Sequence, residues 1–307
     1  MTDVGRVAVL MGGPSAEREI SLISGKAVLA ALQSRRVDAH AFDPAERELF
    51  DLKREGFARV FIALHGRFGE DGRVQGLLDL LGIPYTHSGV LASALAMDKP
   101  MAKRVFAAAG LRCPEGVDLE LARILEDGLP LEPPCVVKPA AEGSSVGVAI
   151  IRGPSLLPLT SRNDLDPRQR VLVERFIPGV ELTCGVLDGE PLAVTEIRPR
   201  EGFYDYRAKY TAGFADHHIP APVAPTLYQR VMERALAAHR ALGCRGVSRA
   251  DFRYNPEKGE EQGLYLLEVN TQPGMTPLSL VPEQAAYRGI AFVDLVVRLV
   301  ETARCDR

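Results

Sequence analysis

Two stretches late in the chain, GVSRADFRY (246–254) and LYLLEVN (264–270), decide the fold. The segment between them, NPEKGEEQG (255–263), is polar and rich in turn formers, which predicts an antiparallel β-hairpin. Side chains alternate along a strand, so each strand presents one polar and one apolar face. The polar faces carry Arg249, Asp251, Glu268 and Asn270. The apolar faces, which we expect to fill the core, carry Ala250, Phe252, Leu267 and Val269.

The polar face of this hairpin has the composition of a metal site. Asp251, Glu268 and Asn270 offer two carboxylates and an amide, with no cysteine or histidine beside them. Such oxygen ligands suit Mg²⁺ or Mn²⁺, ions that proteins often share with substrate phosphates. Any one of these acids alone would be an ordinary solvated strand charge. The three residues together, on strands whose opposite face is apolar, favour a metal site and nucleotide chemistry.

The composition is that of a globular protein that binds small molecules. The 307 residues are 46% hydrophobic, enough for a substantial core. No apolar run approaches the roughly 18 residues that span a bilayer, and the first residues lack signal-peptide features, so we expect a cytoplasmic protein without membrane contact. The net charge is −3 and no dense Lys/Arg run occurs, which argues against nucleic-acid binding.

The five cysteines are odd in number, scattered, and never spaced as C-x-x-C. This usage predicts reduced thiols that serve in packing. They are Cys113, Cys135, Cys184, Cys244 and Cys305.

The order of predicted elements indicates an α/β protein with three domains. The first third alternates strands and helices, which predicts a parallel sheet with crossover helices. Its predicted elements are strands 6–13, 59–66 and 83–87 and helices 15–35, 72–82 and 89–110. Later strands are predicted at 134–140, 146–151 and 170–177, and helices at 226–243 and 290–303. The predicted domains are 1–95, 96–180 and 181–307.

A Gly/Ser hairpin in the middle of the chain is a candidate phosphate-binding flap. The loop EGSSVG (142–147) lies between two predicted strands, whereas the usual P-loop and dinucleotide motifs are absent. A hairpin tip of this kind is often only a turn. Lys138, at the end of the preceding apolar strand, adds a point charge for a phosphate. Lys99 is a second candidate, although a surface helix lysine is the ordinary interpretation.

Two further regions of the second half are candidates for ligand contacts. Glu174 and Glu181 flank RFIPGVE (175–181) and suit adenosine hydroxyls or a basic group, although Glu181 is equally explained as a strand-face charge. The long segment 198–222 has no clear period, which is typical of a lid. A lid would shield a hydrolysable intermediate from water.

The predicted turn after the first strand, MGGPSAERE (11–19), combines a helix start with a candidate binding residue. Ser15 is the predicted N-cap and Glu17 falls in the first helical turn, where an acid is favoured by the helix dipole. Strand ends in a parallel sheet also border the ligand crevice, so Glu17 is a candidate for holding an ammonium group. His65 occupies the equivalent turn after a later strand, and its function stays open.

The segment NTQPGMTPLSLVP (270–282) follows the metal-bearing strand directly. The backbone amide of Gly274 is a candidate donor to a developing oxyanion. Ser279 and the amide of Leu280 are candidates for holding a carboxylate.

Seven blocks of the chain, in order, resemble the D-alanine–D-alanine ligase family of ATP-grasp enzymes. They are GGPSAEREISL (12–22), ALHGRFGEDGRVQGLLDLLGIPYTHSG (63–89), MDK (97–99), VVKPAAEGSSVGV (136–148), FYDYRAKY (203–210), SRADF (248–252) and LLEVNTQPGMTPLSLVP (266–282). The resemblance runs almost the whole length. It implies a three-domain ATP-grasp fold that includes the N-terminal parallel sheet.

The resemblance also implies a two-step reaction. ATP phosphorylates the carboxylate of one D-alanine, and the amine of a second D-alanine attacks the acyl phosphate and expels phosphate. The product is D-alanyl-D-alanine, a precursor of peptidoglycan. The implied cofactors are ATP and two Mg²⁺ ions, or Mn²⁺. A homodimer is implied as well, with 83–95 as a plausible apolar interface.

The roles of the site residues follow from the same resemblance. Glu17 would bind the first ammonium group, and Arg249 with the Gly274 amide would stabilise the oxyanion. His65, Ser279 and Leu280 would contact the second D-alanine. The nucleotide site is assigned Lys99, Lys138, Ser145, Glu174, Phe176, Glu181 and Lys209. The metal is assigned Asp251, Glu268 and Asn270. The lid would be closed by a hydrogen-bonded set made of Glu17, Ser144 and Tyr210.

Three positions bear on how closely the family pattern is followed. Tyr210 favours the dipeptide product, because related ligases that make D-alanyl-D-lactate generally carry Phe there. His87 stands in THSG (86–89) where the family usually has TGSG, a position expected at the domain edge. The stretch 151–170 lacks the clear helix expected after the flap.

Two alternatives remain open. Another ATP-grasp carboxylate–amine ligase would keep Lys138, the flap and the metal residues but change the substrate blocks. A noncatalytic nucleotide or amino-acid sensor on the same scaffold would be expected to lack a metal ligand or Arg249, and the sequence retains all of them.

Overall fold

The computed structural model of the protein describes residues 4–143, 147–160, 166–200, 214–276 and 279–306. Within these ranges the chain forms three β-sheets covered by helices, one parallel and two antiparallel. The predicted α/β class with an N-terminal parallel sheet is therefore confirmed. The predicted domain boundaries at residues 95 and 180 stay predictions. No helix in the described ranges is both long and apolar enough to cross a membrane.

The N-terminal sheet is parallel, in the order β2-β1-β3. Its elements are β1 (Val7–Leu10), α1 (Arg18–Ser34), β2 (Ala39–Phe42), α2 (Asp51–Arg54), β3 (Arg59–Ile62) and α3 (Arg73–Leu81). The strand β2 (AHAF) and the one-turn helix α2 (DLKR) were not predicted, because each is short and neither forms an apolar run like that of β1 (VAVL). The predicted strand 83–87 is wrong, because only Tyr85 makes isolated bridges, to Val60 and Arg304. Pro84 cannot donate to a ladder, and His87 has a left-handed φ of 70°.

The predicted helix 89–110 is two helices, α4 (Val90–Met97) and α5 (Lys99–Ala108). Asp98 between them is extended, with ψ of 92°, and its carboxylate accepts the amide of Met101. Pro100, at the start of α5, has no amide to continue the first helix. The N-cap and the proline together turn the chain so that Lys99 enters the cleft described below.

The central sheet is antiparallel, in the order β4-β7-β5-β6. Its elements are β4 (Gly116–Glu120), α6 (Leu121–Asp127), β5 (Cys135–Pro139), β6 (Ala149–Ile151), α7 (Leu157–Thr160) and β7 (Arg170–Arg175). Strands β5, β6 and β7 confirm the prediction, and β5 and β6 form the hairpin that carries the Gly/Ser loop. Strand β4 and helix α6 were not predicted. The short α7 lies in the stretch whose helical pattern was unclear.

The large sheet is antiparallel, in the order β10-β9-β8-β11-β12. Its strands are β8 (Val180–Leu187), β9 (Glu190–Pro199), β10 (Ala215–His218), β11 (Val247–Tyr254) and β12 (Leu264–Asn270). The helices are α8 (Pro225–Ala241), α9 (Gly259–Gln262), α10 (Leu280–Tyr287) and α11 (Phe292–Glu301). The β11–β12 hairpin confirms its prediction. The predicted lid 198–222 is wrong at its ends, because residues 198–199 belong to β9 and Ala215–His218 pairs with it as β10.

One predicted core residue of the hairpin faces the cleft instead. The register shifts after the Asp251–Glu268 pair, so that Phe252 pairs with Leu266 and Leu267 has no partner of its own. A bulge of this kind turns one side chain out of the alternation. Leu267 therefore lines the cleft beside Glu268, whereas Ala250, Phe252 and Val269 are buried as predicted.

Four large apolar clusters hold the sheets and helices together. One face of the parallel sheet packs against α1, α11 and residues from the large sheet, and the other face packs against α3 and Tyr85. The large sheet packs against α8 and α5, and the central sheet has its own core against α6. The five cysteines are free, as predicted. The three sheets thus meet around one cleft.

Candidate active site

The cleft contains two neighbouring pockets that share a wall. The first pocket is lined by the turn after β1, the end of β3 and the end of β12. The second lies between the central sheet and the large sheet. Both are lined by Lys99, Glu142, Gly143, Glu268 and Leu280. The site is therefore assembled from all three sheets.

Glu17 lies in the first pocket and is buried, with 5% of its surface exposed. Helix α1 starts at Arg18, so Glu17 is its N-cap residue, and the predicted N-cap Ser15 is wrong by two positions. The Ser15 hydroxyl instead donates to the carbonyl of His65 at 2.7 Å and accepts the amide of Glu17 at 3.2 Å. A strand-to-helix turn thereby fixes Glu17 against the neighbouring strand end.

Two glycines allow the approach of the Glu17 carboxylate. A Cβ atom placed on Gly66 or on Gly143 would lie 2.7 Å from Glu17 Oε1. Gly66 has a left-handed φ of 72°, which glycine adopts without strain. Gly143 is the second residue of the Gly/Ser loop, so this loop and the N-terminal lobe meet at Glu17.

His65 is buried beside Glu17 and is held at both ring nitrogens. Nε2 lies 3.0 Å from Ser24 Oγ and Nδ1 lies 3.2 Å from Glu70 Oε1. Gln272 binds the carbonyl of Gly69 and so ties the neighbouring turn to the chain after β12. These contacts fix the orientation of the imidazole, which lines the first pocket.

A buried ion cluster lies at the base of the second pocket. Glu174 on β7 contacts Lys138 on β5 at 2.6 Å and Lys103 on α5 at 2.5 Å. Burial raises the pKa of Glu174, but the two ammonium groups outweigh it and hold that pKa below its ordinary value. Burial lowers the pKa of Lys138, and the charges of Glu174 and Glu268 more than reverse this effect.

This cluster changes how Glu174 is interpreted. Its carboxylate is engaged by two lysines, and Glu174 lines the pocket as part of this ion cluster. Its predicted contact with a nucleoside stays a prediction. Lys103 also donates to the carbonyl of Pro114 at 2.6 Å.

The outer part of the second pocket is more apolar. Phe176 lines it, and the guanidinium groups of Arg152 and Arg253 lie 5.4 and 5.9 Å from its ring centre. Glu181 lies 3.4 Å from Arg253 and also lines the pocket. Further apolar lining comes from Pro114, Val136, Pro139, Val148, Ile177, Ile197, Leu267 and Leu280.

The polar face of the hairpin is assembled as predicted. Asp251 and Glu268 are direct cross-strand partners, as are Arg249 and Asn270. Arg249 forms a two-pronged ion pair with Asp251, with both distances 2.8 Å. Thr183 on β8 donates to Asp251 at 2.6 Å. The guanidinium and the carboxylate therefore hold each other in place on the cleft wall.

Lys99 is buried in the cleft, contrary to the ordinary interpretation of a helix lysine. Its ammonium group donates to the carbonyl of Glu142 at 2.6 Å and lies 3.7 Å from Glu268. It therefore lies at the wall that the two pockets share. Because Glu142 is the first residue of the Gly/Ser loop, Lys99 also ties that loop to α5.

Gly274, Ser279 and Leu280 lie together on the far side of the first pocket. Ser279 precedes α10, and its hydroxyl is 3.0 Å from the amide of Thr276 and 2.8 Å from the hydroxyl of that residue. Leu280 begins α10, where the first backbone amides of a helix have no intrahelical partner. This end of the pocket therefore suits a carboxylate.

Four predicted site residues lie outside the described residues. They are Ser144, Ser145, Lys209 and Tyr210. The other predicted site residues all line one or both pockets.

Sequence reasoning missed several residues that complete the site. They are Ser24, Glu70, Lys103, Glu142 and Thr183. Ser24 had a usable signal, because Glu17, Ser21 and Ser24 are spaced i, i+4 and i+7 and so share one face of α1. Glu142 belongs to the predicted Gly/Ser loop, although its own contact was not predicted. Glu70, Lys103 and Thr183 come from different elements and carry no local pattern that links them to the cleft.

The donor set of the hairpin fits a hard divalent cation. Asp251, Glu268 and Asn270 supply oxygen atoms from adjacent strands and line the cleft. No group of three His, Cys, Asp or Glu side chains with metal-binding geometry occurs among the described residues, so the amide would be needed as a third ligand. Oxygen donors without imidazole or thiolate match Mg²⁺ or Mn²⁺.

The folds of solved structures identify the class. A D-alanine–D-alanine ligase from Bacillus anthracis matches with a TM-score of 0.80 and 34% identity, over 97% of this chain and 96% of that chain. VanG D-Ala:D-Ser ligase from Enterococcus faecalis matches with a TM-score of 0.78 and 29% identity, over 96% and 98%. The chain is thus an ATP-grasp protein in its fold.

Sequence comparison identifies the family within that class. The family models described as D-ala D-ala ligase C-terminus and N-terminus match residues 120–301 and 39–88. Relatives named D-alanine–D-alanine ligase include one from Agrobacterium fabrum, 51% identical over 98% of both chains. Another, from Paramagnetospirillum magneticum, is 53% identical over 98% of this chain and 99% of its own. The chain belongs to the D-alanine–D-alanine ligase family.

Proposed function

We propose that this protein joins two D-alanine molecules into D-alanyl-D-alanine at the expense of ATP, for peptidoglycan synthesis. The observation that carries the proposal is the shared wall of the two pockets. Lys99 and Glu268 line both, so a nucleotide in one pocket and an amino acid in the other would meet there. A solved D-alanine–D-alanine ligase from Bacillus anthracis, 33% identical, was crystallised with ATP.

In the proposed first step, a carboxylate oxygen of one D-alanine attacks the γ-phosphorus of ATP. The bond from that phosphorus to the bridging oxygen breaks, and ADP leaves. Glu17 would hold the ammonium group of this D-alanine, because it is a buried carboxylate at the first pocket. Lys99, Lys138 and the Ser144–Ser145 loop would hold the phosphates, with Lys209 assigned to the same nucleotide site.

In the proposed second step, the amine of the second D-alanine loses a proton and attacks the acyl carbon. The bond from that carbon to the phosphate oxygen then breaks and releases inorganic phosphate. Arg249 and the Gly274 amide would stabilise the oxyanion of the tetrahedral intermediate. Ser279 and the Leu280 amide would hold the second carboxylate, with His65 beside them. Tyr210, with Glu17 and Ser144, would close the site.

The nucleoside would lie in the apolar part of the second pocket. Phe176 and Leu267 suit an aromatic base, and Glu181 suits a ribose hydroxyl. Asp251, Glu268 and Asn270 would hold Mg²⁺ or Mn²⁺. The cation would supply charge neutralisation at the phosphates.

The second substrate has one specific competitor. The similar VanG structure belongs to a D-Ala:D-Ser ligase, so D-serine is the alternative for the second position. The relatives near 50% identity are named D-alanine–D-alanine ligases, which favours D-alanine. Tyr210 is our reason to expect a dipeptide rather than D-alanyl-D-lactate. A homodimer in the cytoplasm remains part of the proposal.

Phosphate release tests the proposal directly. Purified protein with ATP and Mg²⁺ would receive D-alanine, L-alanine, D-alanine with D-serine, or D-alanine with D-lactate, and mass spectrometry would identify the products. We expect release that requires D-alanine and yields the dipeptide. Folded protein that releases no phosphate with D-alanine would point to another ligase substrate or to a sensor. A mixed product with D-lactate at neutral pH would contradict the role of Tyr210.

A further inference from the structure

A second cavity lies away from the cleft, where the N-terminal lobe meets the large sheet and the end of α11. Its volume is about 540 Å³. The lining includes Thr86, His87, Asp188, His239, Arg245 and Arg304. None of these residues belongs to the proposed ligase site.

His87 presents a buried donor to this cavity. The residue is 2% exposed and has a left-handed φ of 70°, a backbone conformation that strains most side chains. Its Nδ1 lies 2.8 Å from Thr86 Oγ1, and that oxygen already accepts the amide of Ile62. A hydroxyl oxygen can accept two hydrogen bonds, but the Thr86 hydroxyl hydrogen has no acceptor other than Nδ1 among the described residues. We therefore assign that hydrogen to Nδ1 and the ring hydrogen to Nε2.

The Nε2 atom of His87 has no hydrogen-bond partner among the described residues. Burial lowers the pKa of this imidazole to about 3, so the ring is a neutral donor at physiological pH. A buried donor without an acceptor is costly, and native structures rarely keep one without a water or ligand.

Arg245 presents a second buried donor to the same cavity. Its terminal nitrogens donate to the carbonyls of Arg304 at 2.7 Å and Tyr85 at 3.4 Å. Its Nε is 3.4 Å from Asp306 Oδ1, yet the geometry is not that of a hydrogen bond, and Nε has no such partner among the described residues. The guanidinium is therefore held in position, and its Nε–H group has no hydrogen-bond acceptor among the described residues.

The charge around the cavity favours an anion. Arg240 and Arg304 add positive charge at the exposed rim. The nearby carboxylate of Asp188 is paired with Arg298 at 2.5 Å, and Asp306 lies against Arg245. The cavity is lined by two residues whose N–H groups have no acceptor among the described residues, and guanidinium groups outnumber carboxylates around it. Both features suit an oxygen anion.

We propose that this cavity binds a small oxyanion, a carboxylate or a phosphate, which accepts from His87 Nε2–H and Arg245 Nε–H. Such a ligand would bridge the N-terminal lobe and the large sheet. It would raise the melting temperature, because it binds the folded chain alone. The inference goes beyond the ligase activity and does not depend on it.

Calorimetric titration with sodium phosphate and, separately, sodium acetate at constant ionic strength tests the proposal. The key variant is His87→Gly, since glycine adopts the left-handed φ without strain and should fold. We expect saturable binding of at least one anion to the unmodified protein, and at least about tenfold weaker binding to the variant. The matched variant His87→Asn keeps an N–H donor and tolerates the same φ, so it should retain part of the affinity.

Lys138→Met separates the cavity from the proposed phosphate site in the cleft. Anion binding that survives this change and is lost in His87→Gly assigns the anion to the cavity. Binding lost in Lys138→Met and unchanged in His87→Gly would overturn the proposal. So would the absence of saturable binding of either anion, which would leave the cavity to water. The two salts also decide between a phosphate and a carboxylate ligand.

Discussion

The two pockets of the cleft differ in the number and position of their charged groups. The first is lined by several ionisable and hydrogen-bonding groups, including Glu17, His65 and Arg249. The second holds the Glu174–Lys138 ion pair at its base, and its outer part combines apolar side chains with the Glu181–Arg253 ion pair. A small zwitterion carries two charges and little apolar surface, whereas a nucleotide carries an apolar base and a charged tail. The two linings match these two chemistries.

The difference also shows where rigidity comes from. In the first pocket, the imidazole of His65 is fixed by hydrogen bonds to Ser24 and Glu70. In the second, one buried carboxylate positions two lysines through charge. Substitutions in the first pocket should therefore change substrate use. Substitutions in the buried ion cluster of the second pocket should also change the folding stability.

Glu268→Gln tests the wall that both pockets share, and we expect the largest effect. The change weakens a proposed metal ligand at nearly constant volume, so turnover should fall by at least about 10³-fold with the fold intact. Phosphate release and circular dichroism would measure the two quantities. Glu257→Gln is the matched control, because Glu257 is an exposed residue in the connection of the same hairpin. Full activity of folded Glu268→Gln would refute the metal assignment.

Glu174→Gln tests the charge cluster of the second pocket. The variant leaves two buried ammonium groups without their carboxylate, which should lower the free energy of unfolding by about 3–5 kcal/mol at pH 7. Urea denaturation would measure it. The control is Glu115→Gln, at the residue before β4, an exposed partner of Arg175 whose loss should cost less than about 1 kcal/mol. Equal effects of the two variants would show that the cluster does not stabilise the fold.

The same cluster predicts a pH dependence. The pKa of Glu174 is lowered in the folded protein, so its stabilising contribution is present above the ordinary pKa of 4.5 and is lost as the pH falls through the folded value. The free energy of unfolding should therefore drop more steeply from about pH 5 to about pH 3 in the unmodified protein than in Glu174→Gln. Parallel profiles would contradict the lowered pKa.

Gly143→Ala tests the approach of the Gly/Ser loop to the first pocket. The new Cβ atom would lie 2.7 Å from Glu17 Oε1, so the carboxylate or the loop must shift. We expect kcat/KM for D-alanine to fall by about tenfold, since misplacement of a binding group is costly. Gly153→Ala, where a Cβ meets nothing within 4 Å, is the control. Unchanged kinetics would show that Glu17 need not hold this position.

Ser24→Ala should give the smallest effect. The substitution removes one of the two contacts that orient His65, and Glu70 keeps the other. We expect a rise of a few-fold, about 3–5-fold, in the KM for the second D-alanine with little change in kcat. Ser34→Ala, at the exposed end of the same helix, is the control. A drop in kcat alone would contradict a positioning role.

Much of the site was predictable because its residues repeat at short, regular spacings. The polar face of the β11–β12 hairpin follows from alternation, and its register places Asp251 opposite Glu268. Leu267 escaped the same rule, because one bulge moves it from the core to the cleft. Strands β2 (AHAF) and β4 (GVDLE) were missed because they are short and mix polar with apolar residues, whereas the equally short β1 (VAVL) forms an apolar run.

The sequence by itself determined the parallel N-terminal sheet, the β11–β12 hairpin and the family, since all three depend on local patterns or ordered motifs. Only the tertiary structure decided which residues that are distant in sequence come into contact. Lys103 and Glu174 are 71 positions apart and form a 2.5 Å ion pair, and Gly143 opposes Glu17 across the cleft. His87 is buried at the cavity between two lobes, where its Nε2 atom has no hydrogen-bond partner among the described residues. The local spacing of residues determines the face of the strand or helix on which a side chain lies. The packing between elements determines which residues it contacts on that face.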